Sequence, residues 1–92
     1  MIPIQSFAAG VLAAVVRRQA PSPGRTTFAW QLAVGAAVAR ATVVELQQGT
    51  LTVRARDRRW GEEIARAADT ILPRMQHLLG PAAVTRIRVE SA

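Results

Sequence analysis

Between Thr42 and Arg56 the side chains alternate about a single glycine, and no other stretch restricts the fold as tightly. Val44 and Leu46 fall on one side, with Glu45 and Gln47 on the other. Past Gln47-Gln48-Gly49, Leu51, Val53 and Ala55 share one side while Thr52, Arg54 and Arg56 share the other. A repeat of two is the repeat of a strand with one dry face. Gly49 supplies the positive φ that so short a loop needs. The stretch therefore predicts a β-hairpin whose apolar face must be covered by something else.

The cover is written on both sides of the hairpin at helical spacing. Upstream, Phe28, Leu32 and Gly35 lie along one line and Trp30, Val34 and Val38 along its neighbour. This is a helix capped by Thr26 or Thr27, whose hydroxyl takes an unpaired amide. Gly35 in its middle costs roughly 1 kcal/mol against alanine, and close approach of another backbone is the expected reason. Downstream, Asp57 is a candidate N-cap. Trp60, Ile64, Ala67, Ala68, Ile71, Leu72, Met75, Leu78 and Leu79 then keep helical spacing. Pro73 removes an amide and crowds the carbonyl of Asp69, which predicts two helices, or one kinked helix, broken near Asp69-Thr70. Gly80-Pro81 stops the run, and Val84 to Val89 alternates as a last strand with Arg86 and Arg88 on one side and Ile87 and Val89 on the other.

Ahead of all this, Ile4, Phe7, Ala8, Val11, Leu12 and Val15 make one face of an amphipathic helix, closed by Arg17-Arg18. It has no basic leader and no clear cleavage site, so it is not read as a signal peptide. At about 13 residues the run is too short to span a bilayer. The expectation is one α+β domain over 1–92: an N-terminal helix at 3–19, a linker at 20–25 and a core at 26–90. Its order is helix, helix, strand, strand, helix, helix, strand, a three-stranded sheet covered on one face by helices.

Charge says what such a sheet is for. All twelve basic residues are arginine, against six acids, and residues 1–40 contain four of the arginines and no acid. A calculated pI near 11.9 favours polyanions as partners, the alternative being a soluble domain with a basic surface and no anionic ligand. If the apolar strand residues face the helices, Arg54, Arg56, Arg86 and Arg88 project from the opposite face and are placed to track phosphates. An ordinary solvated sheet face is the competing account. Four such contacts give a slope of log K against log salt of roughly −3 on single strands. Arg58 and Arg59 lie in a helix's first turn, where cations oppose the dipole, and so join the candidate nucleic-acid residues. Trp30 and Trp60 each open an apolar helical stripe, so they are core anchors first and exposed stacking or docking aromatics second.

Catalysis has little material. His77 stands alone late in a helix, Glu62 and Glu63 point to different parts of the helix surface, and the chain has no cysteine. The glycines are single and scattered, so no phosphate-cradling loop precedes a helix. The reading is a non-enzyme with no catalytic set, metal, cofactor or small-molecule substrate, and no membrane partner.

The ordered set of Trp30-x3-Val34-Gly35, Gly49-Thr50-Leu51-Thr52-Val53, Trp60-x3-Ile64, Leu78-Leu79-Gly80 and Val84-x2-Ile87-x-Val89 resembles the DciA family. The resemblance implies a KH-like fold of the prokaryotic, type II kind. It also implies a cytoplasmic, non-enzymatic partner of the DnaB-type replicative helicase that binds DNA, single-stranded or branched. Trp30, Gly35, Gly49, Leu51, Val53 and Trp60 match the family pattern as structural or partner-contacting positions. Many relatives carry a long basic extension, and the sequence to Ala92 shows none, so helicase contact is expected on the globular body. The GxxG loop with which KH domains clamp RNA is absent at Ala68-Asp69-Thr70. A KH-like RNA-binding or ribosome-associated protein is the alternative function.

Overall fold

The computed structural model describes residues 20–91; the expected N-terminal helix at 3–19 lies outside them. The order is α1 (Pro23–Val34), α2 (Ala36–Arg40), β1 (Thr42–Gln47), β2 (Thr50–Ala55), α3 (Arg58–Leu79) and β3 (Arg86–Ser91). The sheet runs β1-β2-β3, with β1 antiparallel and β3 parallel to the central strand. This is the expected α+β architecture with a three-stranded sheet.

The hairpin forms as the alternation requires. Gln47 pairs with Thr50, so the loop is the two residues Gln48 and Gly49, both at positive φ (48° and 81°). That combination matches the twist of the flanking strands. Leu51, Val53 and Ala55 are buried, and Val44, Leu46, Ile87 and Val89 pack against the same core. The turn is also tied to the third strand. The Gly49 carbonyl accepts the amides of Thr85 (2.7 Å) and Arg86 (3.2 Å) and the Thr85 hydroxyl (3.1 Å).

The helical part departs from expectation twice and settles one open alternative. First, α1 starts at Pro23, inside the segment read as linker 20–25, and its cap is Ser22 rather than Thr26 or Thr27. The Ser22 hydroxyl accepts the Arg25 amide at 3.0 Å, and proline suits the first helical position, whose amide has no partner to lose. Second, Gly35 ends α1 instead of sitting within it. Its φ of 88° breaks the helix, and a Cβ there meets nothing within 4 Å, so backbone conformation selects the glycine and no close approach does. Third, of the two helices or one kinked helix expected, the single helix forms: α3 runs through Asp69-Thr70 and Pro73 without ending. Ile64, Ile71, Met75, Leu78 and Leu79 all lie buried along one stripe, and that burial outweighs the roughly 3 kcal/mol of an internal proline. Asp69 and Pro73 are exposed, on the side where water reaches a carbonyl deprived of its amide.

The buried side of α1 also shifts: Thr26, Ala29, Trp30 and Ala33 are buried, while Leu32 is exposed. Trp30 is the anchor, 1% exposed. Its indole N–H donates to Thr42 Oγ1 at 2.8 Å, and the Thr42 hydroxyl donates on to the Val38 carbonyl at 2.8 Å. One short chain of bonds thus joins α1, α2 and β1. On the other side, Gly61 lets α3 lie against the end of β3: a Cβ there falls 2.9 Å from that of Ser91. The long helix ends at Gly80 (φ 102°), whose amide returns to Gln76 O at 2.8 Å.

Two substitutions test these joints. Gly49→Ala forces a Cβ to 2.8 Å from Thr85 Oγ1 at a positive φ, and the unfolding free energy from urea titration is expected to fall by about 1–2 kcal/mol. Thr42→Val leaves a buried indole N–H without an acceptor and is expected to cost about 1–3 kcal/mol by the same measurement.

Candidate nucleic-acid interface

The sheet face turned away from the helices consists of three cross-strand rows set by the register. They are Gln47–Thr50–Arg86, Glu45–Thr52–Arg88 and Val43–Arg54–Glu90. Alternation delivers Arg54, Arg86 and Arg88 to this one surface, all exposed. Arg56 follows the last residue of β2, and its guanidinium lies 4.0 Å from Asp57. Arg58 and Arg59 open α3, where Arg58 pairs with Glu62 one turn on, at 3.6 Å, and Arg59 borders a groove on the helical side. Arg54, Arg86 and Arg88 therefore share the sheet face while Arg59 lies at the groove, so the six candidate arginines do not form one patch.

The sheet face is also less positive than its arginines alone imply. Glu90 Oε2 lies 3.5 Å from Arg54 Nε, and its other oxygen lies 3.4 Å from Arg88 Nε. Glu45 lies 4.0 Å from Arg54. Three guanidiniums thus face two carboxylates. Arg86 stands in no ion pair among the described residues; its Nε donates to Thr50 Oγ1 at 2.8 Å. The pairs are open to water, with side chains 40–67% exposed. Such pairs are worth only about 0–1 kcal/mol and yield readily to a competing anion. Glu90 was overlooked in the sequence although its signal was there: Arg86-x-Arg88-x-Glu90 puts all three on one face.

The other candidate positions serve the fold. Trp30, Leu51 and Val53 are interior, and Gly35 and Gly49 hold positive φ. Trp60 is different. It is half-buried and forms part of a groove of about 710 Å³ between α1, α2 and the stretch of α3 up to Arg74. At the end of that groove, Arg74 Nη1 donates to the Ala33 carbonyl at 3.2 Å, a helix-end contact that helical spacing alone did not single out. Among the described residues no three acidic, histidine or cysteine side chains cluster as a metal ion requires. None of the described helices is long and apolar enough to cross a membrane.

Compared with protein families, residues 3–89 match the family model described as "Dna[CI] antecedent, DciA". A comparison with curated proteins finds no match.

Because the carboxylate between Arg54 and Arg88 is solvent-exposed, Glu90→Gln is expected to change the urea-derived unfolding free energy by less than about 1 kcal/mol. A larger loss marks Glu90 as a structural residue and not a screening one.

Proposed function

The chain belongs to the DciA family, and on that premise we propose that it is a non-enzymatic adaptor of bacterial DNA replication that docks on the DnaB-type replicative helicase and on DNA. The family is one of helicase loaders, and the match over nearly the whole chain is the observation that carries the reading. The adaptor works by binding and positioning in the cytoplasm, while the helicase supplies ATP hydrolysis. We read the fold as KH-like of type II, supported by a three-stranded mixed sheet with its helices on one face.

DNA contact is assigned to the open sheet face. Arg86 and Arg88 stand side by side along β3, with Arg54 adjacent on β2 and Thr50 and Thr52 between them and β1. This favours backbone contact without base readout, since guanidiniums and hydroxyls meet phosphate oxygens and no exposed aromatic stands among them. Binding by a KH-type RNA clamp has no loop to use: α3 runs as unbroken helix through Ala68-Asp69-Thr70, where the GxxG would stand. The RNA-binding alternative thus becomes an arm of the test.

The helicase claim is tested by pull-down of a DnaB-type hexamer with the tagged chain; absence of binding at micromolar protein sinks it. The DNA claim is tested by titrating labelled single-stranded DNA, duplex DNA and RNA at several salt concentrations. For single-stranded DNA the expected slope of log K against log salt is about −2, from three guanidiniums. Arg86→Ala should flatten it by about 0.7, and Glu90→Gln should tighten binding by freeing Arg54 and Arg88. Unchanged binding in both variants removes DNA from this face, and clear preference for RNA transfers the assignment to the alternative.

A further inference from the structure

β1 and β3 are the two edges of the sheet, and they are guarded differently. Charges, proline or a bulge normally protect an edge strand from pairing with another chain. β3 carries Arg86, Arg88 and Glu90 along its open face. β1 has one charged residue, Glu45, no proline, and an unbroken register of pairs from Thr42 to Gln47. Its Val43 is 68% exposed, and Thr42, Val44 and Leu46 on its dry face are only half-buried. The two-residue turn fixes where the β1 peptide groups point. Gln47 and Thr50 flank it and exchange both bonds, so Glu45 and Val43 also turn their amides and carbonyls toward β2. The bond from the Arg56 amide to the Ala41 carbonyl at 2.8 Å continues the same alternation. Thr42, Val44 and Leu46 therefore turn theirs to the outer edge, where no strand pairs with them among the described residues.

We propose that this edge pairs with β1 of a second copy, antiparallel about a twofold axis through Val44, joining two three-stranded sheets into one. Hydrogen bonds and charge together select the register. With Val44 opposite its own counterpart, Thr42 faces the partner's Leu46, and every outward amide and carbonyl is matched. A shift of two residues leaves either Thr42 or Leu46 unmatched. In one direction it also sets Glu45 against the partner's Glu45, and like charges directly opposite are destabilising. The centred register sets Glu45 opposite the partner's Val43 instead, which covers the more exposed of Leu32 and Val43. The joined row then reads Glu90–Arg54–Val43 in one copy and Glu45–Thr52–Arg88 in the other. The axis stands perpendicular to the sheet, so both dry faces lie on one side and both arginine faces on the other. A second copy is favoured over a foreign strand because this edge complements itself in hydrogen bonds, apolar residues and charge at one register. The inference does not depend on the proposed function.

Sedimentation equilibrium of the full chain between micromolar and millimolar protein tests the pairing. The expected mass rises with concentration from the 9.9 kDa of one chain toward twice that. Val43→Glu, set opposite the partner's Glu45, is expected to weaken association about fivefold, and Val43→Arg to strengthen it by a similar factor. Position 43 stands largely in water in a single copy, so both variants keep the far-UV circular dichroism of the parent. The chain has no cysteine, so introduced cysteines report the register. Mixed Val43→Cys and Glu45→Cys chains are expected to form a disulfide-linked dimer under mild oxidation, because a non-hydrogen-bonded pair brings the two positions close. Neither variant alone links. The mass of one chain at millimolar protein overturns the proposal. So does linkage by either cysteine variant alone at the rate of the mixture, or association that neither substitution at Val43 alters.

Discussion

The structure depends on the two-faced character of β2. One face is sealed, with Leu51 and Val53 wholly without solvent contact and Met75 of α3 equally buried in the same cluster. Both edges are paired, to β1 on one side and β3 on the other. Sealing one face fixes the register, because a slip of one residue moves Arg54 into the interior and Val53 into water. Everything said of the basic face follows from this. Arginines reach a common surface because the apolar residues between them have nowhere else to go.

The parts that were legible in the sequence are those where a short period meets a hard backbone demand. The hairpin combined alternation with a glycine, and the observed turn needs positive φ at two successive residues. Arg86-x-Arg88 likewise announced its own face. The helices were less legible because periodicity tells that a stripe exists, not which neighbour covers it. Leu32 belongs to the apparent stripe of α1, yet the packing partner turns the Ala29, Trp30 and Ala33 side inward. Gly35 was seen but misjudged, since a sequence cannot separate a glycine kept for φ from one kept for proximity. The apolar stripe from Trp60 to Leu79 was visible across Pro73, but the sequence left two helices and one kinked helix both open, because the local cost of a proline and the gain from an unbroken stripe cannot be weighed without the packing partner.

Net charge proved a poor guide to local potential. The +6 of the whole chain does not fall on one surface: at the sheet, two carboxylates answer three guanidiniums, while Arg59 and Arg74 sit at the groove on the helical side. A strongly basic protein therefore carries a candidate contact surface held close to balance. Glu90 divides its two oxygens between Arg54 and Arg88, so the count of arginines overstates the positive charge this surface presents. Exposed pairs of this kind are screened within about 10 Å at ordinary salt, so this internal pairing weakens as ionic strength rises.

The parallel pairing of β2 with β3 carries a kinetic consequence. Its first rung joins Thr50 to Arg86, two residues separated in the chain by a 22-residue helix. The β1–β2 turn can close in microseconds, while the distant rung pays the entropy of a long loop. Topology thus sets the expected order, local hairpin and helix before the bonds from Thr85 and Arg86 to the Gly49 carbonyl. Until that closure, β2 offers an uncovered edge to any other chain, which makes crowding during synthesis the condition under which this small domain is most vulnerable to mispairing.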